Sequence, residues 1–224
     1  MVESPPAVEL PLEADLARLP KPAIVAYAVR NALRVLPLFV QMAFYCNRDE
    51  FQRYARELIK VSCLGRGAGS SPTLSTVSAK TAREAARVAA YAHAIAASRA
   101  AFAVSRAYAA ADERIDATRA ASYAAAFATT AFAAATAPTS ADEEATRSMT
   151  ARAAAKHDFD CLVKFCKTST ASTTGFDAGE HGPLGSLWPD GPPDWYTDAL
   201  PKWQEALRNV GLDDSSSHLA PQDE

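Results

Sequence analysis

From residue 73 to residue 137 the chain runs 65 positions without a glycine, a proline or an asparagine. Within that stretch, residues 79–137 hold 29 alanines in 59 positions. Alanine is the strongest helix former and a weak strand former, and the residues that interrupt helices are missing. The segment therefore has to be helical, and it makes up more than a quarter of the 224 residues. The remaining composition agrees, with 50 alanines in all, 49% hydrophobic residues, 22% charged residues and only 9 glycines. It excludes an all-β or α/β fold, collagen, a disulfide scaffold and a Gly/Ser linker protein. The expected fold is all-α: a single bundle of about five to seven helices around an alanine-rich, closely packed central pair or long helix.

The pattern divides the chain further. Residues 1–20 read as an N-terminal arm in which Leu12, Leu16 and Leu19 recur at helical spacing. Residues 21–168 read as the bundle core. Its first helix carries Pro22 in the opening turn and spans 23–36, with Arg30 and Arg34 as a basic edge. An apolar stretch over 38–46 and an amphipathic helix over 49–64 follow, closed by Gly65. Gly65-Arg66-Gly67-Ala68-Gly69 lacks both a preceding strand and the lysine of a phosphate loop. It reads as a helix connection, with Ser71 as cap and Pro72 at the first helical position. Thr81-Ala82-Arg83-Glu84 fits a capping box. One helix over 82–137 would span about 84 Å; a hairpin broken near Ala111-Asp112-Glu113-Arg114 is more compact and is preferred.

The charge-free run 120–141 reads as the central helix. Tyr91, Ile95, Phe102, Tyr108, Ile115, Tyr123, Phe127 and Phe132 read as core knobs among alanine holes. Ser140-Ala141-Asp142-Glu143 caps a helix reaching about residue 168. Residues 169–212 form a Pro/Trp loop and C-terminal helical pieces over 194–199 and 200–210. Residues 213–224 read as a disordered acidic tail.

The net charge of −3 conceals an asymmetry: residues 21–119 carry +8 and residues 169–224 carry −8. Either the acidic end lies over the basic body and neutralises it, which is the expectation, or the basic face meets an acidic partner. The start of the chain has acids and prolines where a signal peptide needs a basic end and an apolar run. Cys46, Cys63, Cys161 and Cys166 form no CxxC pair. A cytoplasmic protein with reduced thiols is expected. The segment nearest to a membrane span is 120–141, and alanine gives little drive into lipid, so no membrane association is expected.

Chemistry-bearing patterns are sparse. His157 and Cys161 share a helix face, but a zinc site needs about four such ligands. Asp112, Glu113 and Asp116, like Asp142, Glu143 and Glu144, fall where first helical turns favour acids. No hydrolase, metalloprotease, Walker, Rossmann or Glu-x-x-His pattern occurs. The sequence therefore points to no enzyme, cofactor or metal. Two surfaces remain as candidates. Arg83, Arg87, Arg99 and Arg106 are basic-face candidates for nucleic acid, without a helix-turn-helix or finger spacing. Trp188, Trp195, Tyr196 and Trp203 lie in the Pro/Trp segment that holds every tryptophan, and form either a partner-docking surface or a lid across the bundle.

Two stretches carry a resemblance. Arg18-Leu19-Pro20-Lys21-Pro22-Ala23-Ile24-Val25-Ala26-Tyr27-Ala28-Val29-Arg30, continued by Arg34-Val35-Leu36-Pro37-Leu38-Phe39, resembles the opening of uncharacterised alanine-rich bacterial proteins. Gly182-Pro183-Leu184-Gly185-Ser186-Leu187-Trp188-Pro189-Asp190-Gly191-Pro192-Pro193-Asp194-Trp195 resembles their close. The resemblance implies an all-helical module of bacterial origin and brings no catalytic residue with it. The functional expectation is a non-enzymatic protein–protein interaction, adaptor or regulatory module in a bacterial signalling or defence system. The alternatives are an inhibitor or immunity-type partner of an effector, and a nucleic-acid-binding regulator using the basic 21–119 face.

Overall fold

The computed structural model describes residues 8–64, 72–91, 94–112, 115–134, 141–168, 178 and 184–212. The fold is all-α, with no strand among these residues. The helices are α1 (Glu13–Leu16), α2 (Lys21–Val35), a 3₁₀ segment (Leu36–Phe44), α3 (Arg48–Ile59), α4 (Val61–Leu64), α5 (Pro72–Tyr91), α6 (Ile95–Ala111), α7 (Ala117–Ala134), α8 (Ala141–Thr168) and α9 (Asp194–Asn209).

The alanine-rich region is three helices rather than one or two. The expected turn near 111–114 separates α6 from α7, where Asp116 Oδ1 accepts from the Thr118 and Arg119 amides and caps α7. A second break, unmarked by glycine or proline, separates α5 from α6. There the Ala94 amide reaches back five residues to the Ala89 carbonyl. The Thr81 capping box is not used, because α5 already begins at Pro72, and Glu84 pairs instead with Arg53 of α3 at 3.0 Å.

Side-chain pairs fix the layer. Ser98 of α6 donates to the Ala86 carbonyl of α5 and Ser105 to that of Ala79. On the other side Phe102 stacks on Phe127 of α7, and Arg106 lies over Tyr123. Both registers run antiparallel. A hydroxyl reaches a neighbouring helix's backbone only where the helices lie close, and alanine permits this. Ala96, Ala97, Ala100, Ala101, Ala103 and Ala107 are all buried around α6.

Helix α2 packs behind α6 and α7, α3 lies at the α5 edge, and α8 lies against α7 and α2. Helix α9 covers the 3₁₀ segment. Central burial therefore falls to α2 and α6. Helix α7 reaches solvent on one side, through Tyr123, Ala126 and Ala134. A run without charge need not be enclosed, because exposed alanine costs little.

Three smaller expectations also change. Helix α9 is continuous through Pro201, which sits on its exposed side. In the arm, Leu16 and Leu19 are buried while Leu12 is exposed. The amphipathic stretch 49–64 breaks at Lys60 into α3 and α4, and α3 starts at an unforeseen capping box between Asn47 and Glu50. The expectations on the 65–71 connection and on the 213–224 tail lie outside the described residues.

The run from Lys21 to Phe44 comes closer to a membrane span than 120–141 does. Its apolar window is 94% buried inside the bundle and includes Arg30 and Arg34, so here it serves as core.

Candidate functional site

Arg30 and Arg34 are not an exposed edge. Both are buried, on the side of α2 that meets α8 and the C-terminal segment. Arg30 Nε donates to Asp158 Oδ1 at 3.0 Å, and Arg34 Nη2 pairs with Asp158 Oδ2 at 2.7 Å. Most of the other donors turn to backbone, while Arg34 Nη1 has no partner among the described residues. Arg30 Nη1 reaches the Ala178 and Gly185 carbonyls, Arg30 Nη2 the Ser186 carbonyl, and Arg34 Nε the Leu187 carbonyl at 2.7 Å. Gly185 adopts a φ of 66°, a left-handed conformation that glycine takes without strain. Two guanidiniums thus satisfy three consecutive carbonyls of a loop that has no helix or strand of its own. Arg30 and Arg34 of α2 and residues 185–187 of the C-terminal segment thus meet in one contact, with Asp158 of α8 between the two guanidiniums.

The tryptophans complete the closure. Trp203 meets Phe39 and Phe51 edge-on, with centroids 6.3 and 6.0 Å apart. Trp188, Trp195, Tyr196 and Phe132 form a second aromatic group. Trp188, Tyr196 and Trp203 are buried and Trp195 is half-buried. Of the four partner-binding candidates, Trp188, Tyr196 and Trp203 are thus placed inside the core, while Trp195 keeps part of its surface accessible. The segment is the lid. Its described acids Asp190, Asp194, Asp198 and Glu205 are exposed on the lid and α9, and α9 packs mainly on the 3₁₀ segment, with Trp195 reaching α7 at the buried Phe132. The described part of the acidic end therefore does not cover the basic helices.

The basic-face candidates fare differently. Arg83 and Arg87 are exposed on α5, and Arg99 and Arg106 are half-exposed on α6. Arg83 Nε donates to Ser105 Oγ, which places it beside Arg106. Ile95, Arg99, Phe102 and Arg106 recur at helical spacing and form the outward stripe of α6. Across the seam, α7 presents Tyr123, Phe127 and Thr130. Several residues read from sequence as core knobs face solvent instead: Tyr91 is 87% exposed, Ile95 53% and Tyr123 45%. Tyr108 and Phe132 are buried as expected. Helices α5, α6 and α7 together hold six bases and one acid, and that acid, Glu84, is taken by Arg53.

Catalytic geometry is poor elsewhere. His157 Nε2 lies 3.4 Å from Cys161 Sγ, but burial pushes the Cys161 thiol up, and the Asp158 charge adds to this. A nucleophilic cysteine needs the opposite shift. Among the described residues no group of three or more His, Cys, Asp or Glu is placed to hold a metal ion. A cleft of about 480 Å³ opens beside Ala43, Cys46, Arg48, Phe51, Ala206, Asn209 and Val210. Its one nucleophile, Cys46, has its pKa pushed up to about 11 by burial and by Glu50. No family model, curated protein or solved structure matches the chain.

Proposed function

We propose that the protein is a non-enzymatic protein-interaction module, an adaptor or regulatory component working in the cytoplasm, and that it engages its partner through the α6–α7 seam. One observation carries this reading. Large apolar side chains, arginines and an absence of acids coincide on one solvent-facing surface of the most tightly packed helices. Apolar area left in water is unfavourable unless something covers it, and arginine and aromatic residues are the types enriched in binding hot spots. Rigid alanine-packed helices also hold such a surface in place before contact, which limits the ordering entropy lost on binding.

The six bases of α5–α7 favour a second reading, a nucleic-acid-binding regulator. The chain's net charge of −3 weighs against it, because a polyanion is repelled by the remainder of the molecule.

The test is capture from the native cell with three forms: the unaltered chain, the double variant Arg99→Glu/Arg106→Glu, and Trp188→Ala. The seam variant should lose the partner while its melting temperature holds. Trp188→Ala should melt earlier, by about 3–5 kcal/mol of stability, yet still capture below its transition. Loss of capture by the folded Trp188 variant, with the seam variant unaffected, would return the docking role to the lid.

A further inference from the structure

We infer that the occupant of the α6–α7 seam is an acidic amphipathic helix of a partner protein. The inference rests on the reading of the seam as the contact face and adds the chemistry of what binds there.

Four features narrow the occupant. Charge comes first: α6 and α7 contain Arg99, Arg106 and Arg119 and no acid of their own, and with Arg119 paired to Glu13 of α1 the seam's charge rests on Arg99 and Arg106. A second copy of this chain, seam against seam, would set Arg99 and Arg106 against their own kind with no carboxylate between them. Such like-charge juxtaposition opposes self-association.

Ring geometry comes next. Phe102 and Phe127 stack on one another at 5.2 Å, with 21° between their planes. One face of Tyr123 is covered by the Arg106 guanidinium, 5.0 Å from its centroid. Binding of single-stranded nucleic acid relies on open aromatic faces for stacking. Here one face of each ring is already engaged, and what the seam offers is the remaining ring surface with the aliphatic surface of Ile95, suited to Leu- or Met-like side chains.

Backbone availability is the third feature. With no strand among the described residues there is no sheet edge for an extended peptide to join, so docking proceeds through side chains, as a helix does in a groove.

Spacing is the fourth. Arg99 and Arg106 are two helical turns apart, about 10.5 Å along α6, with Phe102 between them. An aligned partner helix meets this pattern with carboxylates at i and i+7 and apolar residues at i+3 and i+4.

The probe is a labelled helical peptide of about 18 residues, leucines on one face and glutamates at i and i+7 beside them. It is read by fluorescence anisotropy against its lysine-for-glutamate counterpart and against oligothymidine. The full chain should prefer the glutamate peptide about fivefold to tenfold, the size expected from two exposed ion pairs, and the preference should shrink with added salt. In Arg99→Glu/Arg106→Glu the preference should invert toward the lysine peptide. A gain of binding cannot come from misfolding, so the inversion stands apart from stability. Equal affinity for the two peptides, or no inversion, overturns the inference. Oligothymidine binding more tightly than the glutamate peptide, and lost in the same variant, overturns it in favour of nucleic acid. If the seam variant still loses its native partner while the peptides show no charge preference, the seam remains the contact face and only the acidic helix is wrong.

Discussion

Asp158 is the single carboxylate between two buried guanidiniums, and its own side chain is fully enclosed. Replacing it with asparagine keeps the shape and removes the charge. Arg30 and Arg34 would then be buried without a counter-ion, and breaking such a pair from one side typically costs about 3–5 kcal/mol. Asp158→Asn should therefore unfold at markedly lower denaturant, measured by circular dichroism at 222 nm. A change under about 0.5 kcal/mol, the scale of an ordinary surface substitution, would show that the loop carbonyls alone hold the arginines. Cys46 makes a different statement. Its folded pKa, about 11, stands above the ordinary thiol value of 9.0. The unfolded thiol ionises first, so stability associated with Cys46 is intact below about pH 9 and is lost as pH climbs toward 11. Iodoacetamide at pH 8 should alkylate Cys46 more slowly in the native protein than in denaturant, read by peptide mass mapping. Equal rates would contradict its burial.

At the scale of helices, neighbouring alanines in α7 should behave oppositely. Ala125 is buried and Ala126 exposed. Ala125→Leu forces extra methyl groups into a tight contact and should cost about 1–3 kcal/mol. Ala126→Leu should stay within about 0.5 kcal/mol in thermal melts. Equal losses would mean that α7 is enclosed on all sides. The same contrast shows what the sequence could reveal. Missing breakers and abundant alanine make helices certain, and Pro72, Ala111 and Thr168 mark their ends well. Alanine, however, carries almost no information about which way a helix faces, since it is neutral to water and core alike. That is why Tyr91, Ile95 and Tyr123 read as core, and why the break before Ala94 leaves no trace. The arginines mislead for the opposite reason. A charged residue at helical spacing reads as surface unless its carboxylate can be seen, and Asp158 lies 128 positions from Arg30. Ser98 and Ser105, seven apart in an alanine helix, were the available signal for the α5 contact.

Across the whole molecule, charge is sorted by surface rather than by sequence half. Two of the bases in residues 21–119 are consumed inside, holding the lid, while the lid's own described acids are exposed to solvent. That leaves the α5–α7 face basic, apolar in places and uncovered by any described residue of the acidic end. In the proposed function this face makes the contact and the tryptophan lid serves the fold. Hydroxyl-radical footprinting of the free chain and of its native complex tests it most directly, because oxidation reports side-chain exposure at each aromatic. In the free protein, Tyr91 and Tyr123 should oxidise readily and Trp188 and Trp203 slowly. In the complex, protection should appear at Tyr123, Phe102 and Phe127, with Trp188 and Trp203 unchanged. Fast oxidation of Trp188 and Trp203 in the free chain, suppressed on binding while Tyr123 stays reactive, would make the lid, and not the seam, the contact surface.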